Sequence, residues 1–222
     1  MKIKYPRTKH LPWSTASAKD DRYLENTDCF VGKKVVVTVK YDGQNTTLYA
    51  DGSFHNRSID SKADSSTDWL HAWWASKIYN YNFVLVLQKY PAIRFCAENM
   101  YHKHTIHYEN LKAELLIHSI WNDSTCLSWQ DTLSICWLLD LYTVPVLNHG
   151  LYSERVIRNH FDSLKEYQGD NVEGYVIRNS DAFDYNDFAS NIAKYVRPDF
   201  VIQGNTHWFH QERIKNGTTN NS

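Results

Sequence analysis

Four ionisable residues sit within or beside apolar, strand-like runs of this sequence: Lys40 at the end of "VVVTVK", Glu98 in "RFCAEN", Glu173 in "NVEGYVIR" and Lys194 in "IAKYVR". Taking a charge out of water is costly unless an opposite charge, a ligand or a metal ion compensates it. Four such placements suggest one shared cleft. Cations suited to a phosphate chain, with carboxylates suited to a metal ion or to ribose hydroxyls, describe a nucleotide site. Taken alone, Lys40 also has a plainer reading, because lysines commonly end edge strands and keep them soluble.

The elements that must position these residues are legible from pattern. Val35, Val36, Val37, Thr38 and Val39 form a β-branched run without polar alternation, which predicts a strand covered on both faces. Tyr41, Asp42 and Gly43 have turn chemistry and Thr46–Ala50 resumes an extended pattern, so a hairpin is expected with Lys40 near its mouth. "STDWLHAWWASKIYNYNFVLVLQKY" opens on a cap cluster and carries Leu70, Trp73, Trp74 and Ile78 at helical spacing until Pro91 stops it. "AIRFCAEN" and "AELLIHSIW" read as strands, "SWQDTLSICWLLDLY" as a capped helix and "TVPVLN" as a short strand. "SERVIRNHFDSLKEY" then reads as an amphipathic helix, and "NVEGYVIRN" and "NIAKYVRPD" as two further strands. These elements interleave without a βαβ rhythm or glycine-rich loops after strands. The fold class expected is α+β, built on antiparallel sheets, not a dinucleotide-binding fold.

Composition sets the bounds. The 222 residues suit one domain over 1–222, large enough for a substantial core. Lys plus Arg number 24 against 25 Asp plus Glu, so no global positive field exists and a polyanion would need a local basic groove. Most of the abundant aromatics belong to the core, including the Trp69, Trp73 and Trp74 cluster. Cys29, Cys96, Cys126 and Cys136 form no CxxC pair and read as reduced thiols. His102, His104 and His107 in "YHKHTIH" lack the cysteines or His-Glu motif of a zinc site and suggest a polar loop near the nucleotide. With no apolar leader and no stretch near the roughly 18 apolar residues of a membrane span, a cytoplasmic protein is expected. The asparagine-rich end, residues 215–222, is expected to be a frayed tail.

With those segments in hand, the chain resembles the covalent nucleotidyltransferases. "KYDGQN" is similar to their K-x-D-G signature, "FCAEN" to the third motif, "EGYVIR" to the fourth and "AKYVR" to the fifth, in the family's order. The likeness is greatest to the RNA ligase family that includes the phage enzyme sealing nicked duplex RNA, and especially to its compact phage-type members. "KYPRTKHLPW", "HNRS", "ENMYHKHTIHYENL" and "KYVRPDFVIQGNTHW" share it, so it extends over nearly the whole chain.

The resemblance implies an adenylation domain with the nucleotide held between two antiparallel sheets, and no separate OB-type domain, since only a short segment follows Lys194. It implies an ATP-dependent RNA ligase using Mg2+ or Mn2+ and acting on RNA with 5′-phosphate and 3′-hydroxyl ends, as a monomer. Lys40 would be the nucleophile that becomes AMP-lysine, and Lys194 would contact the α-phosphate. Glu173 would bind the metal and Glu98 the ribose hydroxyls. Arg57 would touch ribose or phosphate, Asn45 would orient the departing pyrophosphate, and Arg197 and Arg178 would either face the phosphates or end strands at the surface. Asp42 either braces its turn or assists the nucleophile. In this likeness Leu115 stands where the family has its adenine-stacking aromatic, which leaves the base platform to other residues. A DNA ligase, a GTP-using capping-type guanylyltransferase and an inactive RNA- or nucleotide-binding relative share the same motifs and stay open at this stage.

Overall fold

The computed structural model describes residues 2–14, 21–60, 67–159, 172–198, 200 and 214–219. In chain order the strands are β1 (Lys9–His10), β2 (Lys34–Lys40), β3 (Gln44–Tyr49) and β4 (Phe54–His55), followed by helices α1 (Asp68–Ile78) and α2 (Tyr81–Lys89). Then come β5 (Ile93–Asn99), β6 (Leu115–Asn122), β7 (Thr125–Cys126), α3 (Trp129–Leu138), β8 (Tyr142–Thr143) and β9 (Val146–Leu151). Strands β10 (Gly174–Asn179), β11 (Phe183–Asp184) and β12 (Ile192–Val196) complete the set. They form two sheets, ordered β1-β12-β10-β2-β9 and β11-β7-β6-β5-β3-β4, with β8 alongside β6. Pairing is antiparallel except for β1 with β12 and β6 with β8. This is the α+β architecture expected.

The β2–β3 hairpin is not formed. β2 lies between β10 and β9 in the first sheet, whereas β3 pairs with β5 and β4 in the second. The uninterrupted valine run is the physical reason: a strand buried on both faces belongs in a sheet interior, where both edges are already paired. Tyr41–Gly43 is therefore a link between sheets, and Lys40 ends its strand where the sheets part. Gly43 is required there, because a Cβ on it would lie 2.7 Å from the Asn99 carbonyl oxygen.

The long helix predicted before Pro91 is two helices. Tyr79 ends the first, and Asn80 caps the second, its side chain accepting the Asn82 N–H at 2.9 Å. α1, α2 and α3 cover the outer face of the second sheet through a core that includes Leu70, Trp74, Phe83, Phe95, Ile117 and Ile135. A separate core of Val35, Val37, Tyr41, Met100, Tyr108 and Leu116 joins the sheets beside the link. Trp74 and Trp121 are fully buried, as core tryptophans should be, while Trp69 stacks on Tyr101 at 4.7 Å.

The chain end also departs from expectation. Residues 215–219 are tied down: Lys215 bridges His102, Thr218 bridges Leu111, and buried Asn216 donates to the Met100 carbonyl at 2.7 Å. A polar segment is ordered here because its amides satisfy the backbone of the 101–111 loop. Residues 220–222 and most of the helix expected after Ser153 lie outside the described residues. Among the described residues, no helix is long and apolar enough to cross a membrane.

Candidate active site

A cavity of about 310 Å³ opens where the two sheets diverge, and it is lined by Lys40, Glu98, Arg57 and Lys194 among others. The first sheet supplies one wall by register: Thr38, Val176 and Lys194 stand in a row across β2, β10 and β12, and Gly174 lies opposite Lys40. Gly174 has no tolerance for a side chain, since a Cβ there would fall inside the Tyr195 carbonyl. That close packing sets Glu173 directly beside the Lys40 ammonium, with which it forms an ion pair. The second sheet supplies the opposite wall, with Asn45 paired across to Glu98.

Burial and mutual proximity perturb Lys40, Glu98, Glu173 and Lys194. Burial works against the Lys40 ammonium, yet Glu173 and Glu98 outweigh it and raise the lysine above its ordinary value. Glu98 is pushed up to about 8, by burial first and then by the nearby Glu173 and Asp42 carboxylates, with Lys40 opposing. Burial likewise raises Glu173. Lys194 is lowered, by burial and by the Lys40 charge, while Asp21 pulls the other way. A buried carboxylate, Glu173, paired with Lys40, and a half-buried one, Glu98, on the cavity wall, fit a hard divalent cation. Among the described residues no three protein ligands converge, so such an ion would take one or two carboxylates and complete its shell with phosphate and water oxygens.

Asp42 braces the loop that follows its turn. Its Oδ2 accepts the N–H groups of Thr105 at 2.7 Å and Ile106 at 3.0 Å, and its own N–H donates to the Tyr108 hydroxyl at 3.1 Å. The histidine-bearing loop is thus anchored to the turn that follows Lys40. Asn45 lines the cavity, and its Nδ2 donates to His118 Nε2 at 3.0 Å. Arg178 is not a surface arginine: it is buried, and its guanidinium donates to the carbonyl oxygens of Leu127 at 2.7 Å and His118 at 3.5 Å. Arg197 is not among the residues lining the cavity. Its backbone N–H donates to the Glu173 carbonyl at 3.0 Å, which fixes the chain on which that carboxylate is carried.

Leu115 does not reach this cavity. It is buried beneath the helices and lines a separate space of about 210 Å³ against Trp73 and Tyr142. The residue that sequence reasoning missed is His118. Ser119 pairs with Cys96 and Ile117 with Ala97, so His118 is the extra residue of a β-bulge. A bulge interrupts strict alternation and re-aims a side chain; here the imidazole enters the cleft, across from Val176. Burial and the Arg178 charge lower His118 to about 3, so the ring is neutral. The signal was a polar residue inside "LLIHSIW", but alternation counted from Leu115 gives no hint of the bulge.

Residues 33–196 match the family model described as RNA ligase. The chain belongs to the RNA ligase family. An archaeal ATP-dependent RNA ligase superposes with a TM-score of 0.56 at 13% identity, over 89% of this chain and 49% of the other. A variant of the Naegleria gruberi RNA ligase solved with ATP and Mn gives 0.52 at 17% identity over 79% of this chain and 53% of the other. The same enzyme with PPi gives 0.52 at 16% identity. This family member thus spans about half the length of the solved ligases it matches. No curated protein matches the sequence. The family match runs from Lys33 to Val196, and so includes Lys40, Glu98, Glu173 and Lys194.

Proposed function

We propose that this chain is an ATP-dependent RNA ligase that joins a 5′-phosphate to a 3′-hydroxyl through a lysyl-AMP intermediate and an adenylylated RNA end. The observation that carries the reading is the pairing of Lys40 with Glu173 inside a cleft that also presents Glu98, Arg57 and Lys194. In the first step Lys40 Nζ forms a bond to the α-phosphorus of ATP while the α–β bridging P–O bond breaks and pyrophosphate leaves with its electrons. An oxygen of the RNA 5′-phosphate then displaces Lys40 from that phosphorus. Finally the RNA 3′-hydroxyl attacks the 5′-phosphate and expels AMP. Such transfers depend mainly on alignment and on charge placed against the migrating phosphoryl group.

On this reading each side chain has a task. An ammonium is not a nucleophile, and Glu173 holds Lys40 in that form. Releasing Lys40 therefore requires the Glu173 carboxylate to be engaged by another cation. A bound Mg2+ or Mn2+, held by Glu173 with phosphate and water oxygens, would supply that positive charge at the α-phosphate. Lys194 and Arg57 neutralise phosphate oxygens, and Glu98 accepts from the ribose hydroxyls. His118 and Val176 enclose the base from opposite sheets, with Asn45 fixing the imidazole. The ATP- and Mn-containing structures of the Naegleria gruberi enzyme support a nucleotide in the corresponding fold.

The test is incubation with α-labelled ATP and Mg2+, followed by denaturing electrophoresis. Label is expected on the wild-type chain and not on Lys40→Ala. Label from GTP but not ATP would convert the reading to guanylyltransferase, and no label from any common triphosphate would end it. Sealing of RNA in preference to DNA nicks separates the RNA ligase from a DNA ligase.

A further inference from the structure

We propose that Asp21, held by His10, is a positioning residue that fixes the ammonium of Lys194 for its work on the phosphate; the inference rests on the function proposed above. It gives a role to the "KYPRTKHLPW" segment, which the adenylation motifs leave without one. β1 lies parallel to β12 with His10 in register with Lys194, and the Leu11 N–H donates to the Lys194 carbonyl at 2.8 Å. The backbone at Lys194 is therefore clamped by the N-terminal segment. On the outer side of β1, His10 N donates to the Arg22 carbonyl at 2.7 Å and Leu24 N to the His10 carbonyl at 2.8 Å. These bonds lay the chain along β1 and bring Asp21 back to the site.

His10 is 1% exposed and lies between Ser14 and Asp21. Its Nδ1 is 2.8 Å from Ser14 Oγ, and its Nε2 is 3.2 Å from Asp21 Oδ1. The same Asp21 oxygen lies 4.0 Å from Lys194 Nζ. Burial and the Lys194 charge lower His10 below its ordinary value, so the ring is neutral. Nε2 faces the Asp21 carboxylate and Nδ1 faces the Ser14 hydroxyl. The contact to Asp21 is electrostatic rather than a well-aligned hydrogen bond.

Serine, histidine and aspartate in this order superficially suggest hydrolytic chemistry. The hydroxyl is unsuited to it: Ser14 is 6% exposed, and Oγ accepts the Val196 N–H at 3.1 Å, which turns it into the sheet edge. The group that reaches the cavity is Lys194, with Lys40 and Arg57 as like-charged neighbours. Without an anchor a long lysine would swing away from those cations. Asp21 is the carboxylate that holds it, among the ion pairs of the described residues.

The test is single-turnover formation of the lysyl-nucleotide, measured with ATP affinity and melting temperature for wild type, Asp21→Asn, Asp21→Glu and His10→Gln. Asp21→Asn should slow the step by about 10- to 100-fold, the range for a misaligned reacting group. ATP affinity should stay within about twofold, and Asp21→Glu should recover most of the rate. On a Lys194→Ala background, adding Asp21→Asn should change the residual rate by less than about twofold, since the two act as one unit. A wild-type rate in Asp21→Asn, or a full extra loss on the Lys194→Ala background, overturns the inference while leaving the ligase reading intact. If Asp21→Asn does not fold, His10→Gln decides by the same split, a wild-type rate overturning the proposal. Absence of any adduct in the wild type overturns both.

Discussion

Glu98→Gln should make the protein more stable and less active, in a way that depends on pH. Glu98 sits in the cleft beside Glu173 and Asp42, accepts the Gly43 N–H at 3.2 Å, and ionises only near 8 instead of its ordinary 4.5. A carboxyl with a raised folded-state value holds its proton in the folded chain while the unfolded chain has already lost it. Stability is then lost as pH rises from 4.5 towards 8, and at pH 7 the loss reaches about 3 kcal/mol at most, from ~1.4 kcal/mol per unit. Glutamine keeps the acceptor oxygen for Gly43 and removes the charge. The variant should match wild type near pH 4.5 and melt higher above neutrality, by up to about 6–12 °C for a chain of this size. The assay is a melting series from pH 4.5 to 8.5 without nucleotide or metal, paired with single-turnover nucleotide transfer at pH 7.5. A melting difference that is the same at pH 5 and pH 8 would show that Glu98 is not held protonated, and the electrostatic account of the cleft would fail. A wild-type transfer rate would remove Glu98 from the ribose.

Gly174→Ala should cost about 3 kcal/mol or more, since the added Cβ meets the Tyr195 carbonyl of a paired strand, and it should show as lost soluble protein or a much lower denaturant midpoint. Asp42→Ala leaves the Thr105 and Ile106 N–H groups without their acceptor; a loss of about 2 kcal/mol is expected, with faster amide exchange confined to 101–109, and unchanged exchange would argue against the brace. His118 is lowered to about 3, so its neutral form stabilises the fold above about 6.5 and that contribution is lost as pH falls towards 3, at up to ~1.4 kcal/mol per unit. His118→Phe should therefore flatten the fall in melting temperature between pH 6.5 and 4, and an unchanged slope would place the ring in water.

The elements were readable where local pattern and tertiary demand agree. The valine run of β2, the strand-like runs of β5 and β10, and the Ser128 cap of α3, which accepts the Asp131 N–H at 3.0 Å, all appear as the sequence indicates. The β2–β3 hairpin failed because turn chemistry at Asp42–Gly43 reports only that the chain bends, not which strands it then joins. The break at Asn80 was hidden because apolar residues continue at helical spacing on both sides of it. In the cleft, Lys40, Glu98, Glu173 and Lys194 were identifiable because charge inside an apolar run is anomalous on its face.

Sequence alone determined which groups had to meet: four charges that no isolated strand can shelter are required to find one another, and their chain order carries the family likeness. Only the tertiary structure decided how they meet. The crossing from one sheet to the other opens the cleft after Lys40, a single bulged residue turns His118 into it, and the parallel addition of β1 returns Asp21 to Lys194. Each of these depends on which strand edges pair and in what register, and pairing is fixed by contacts between distant segments that no local pattern encodes.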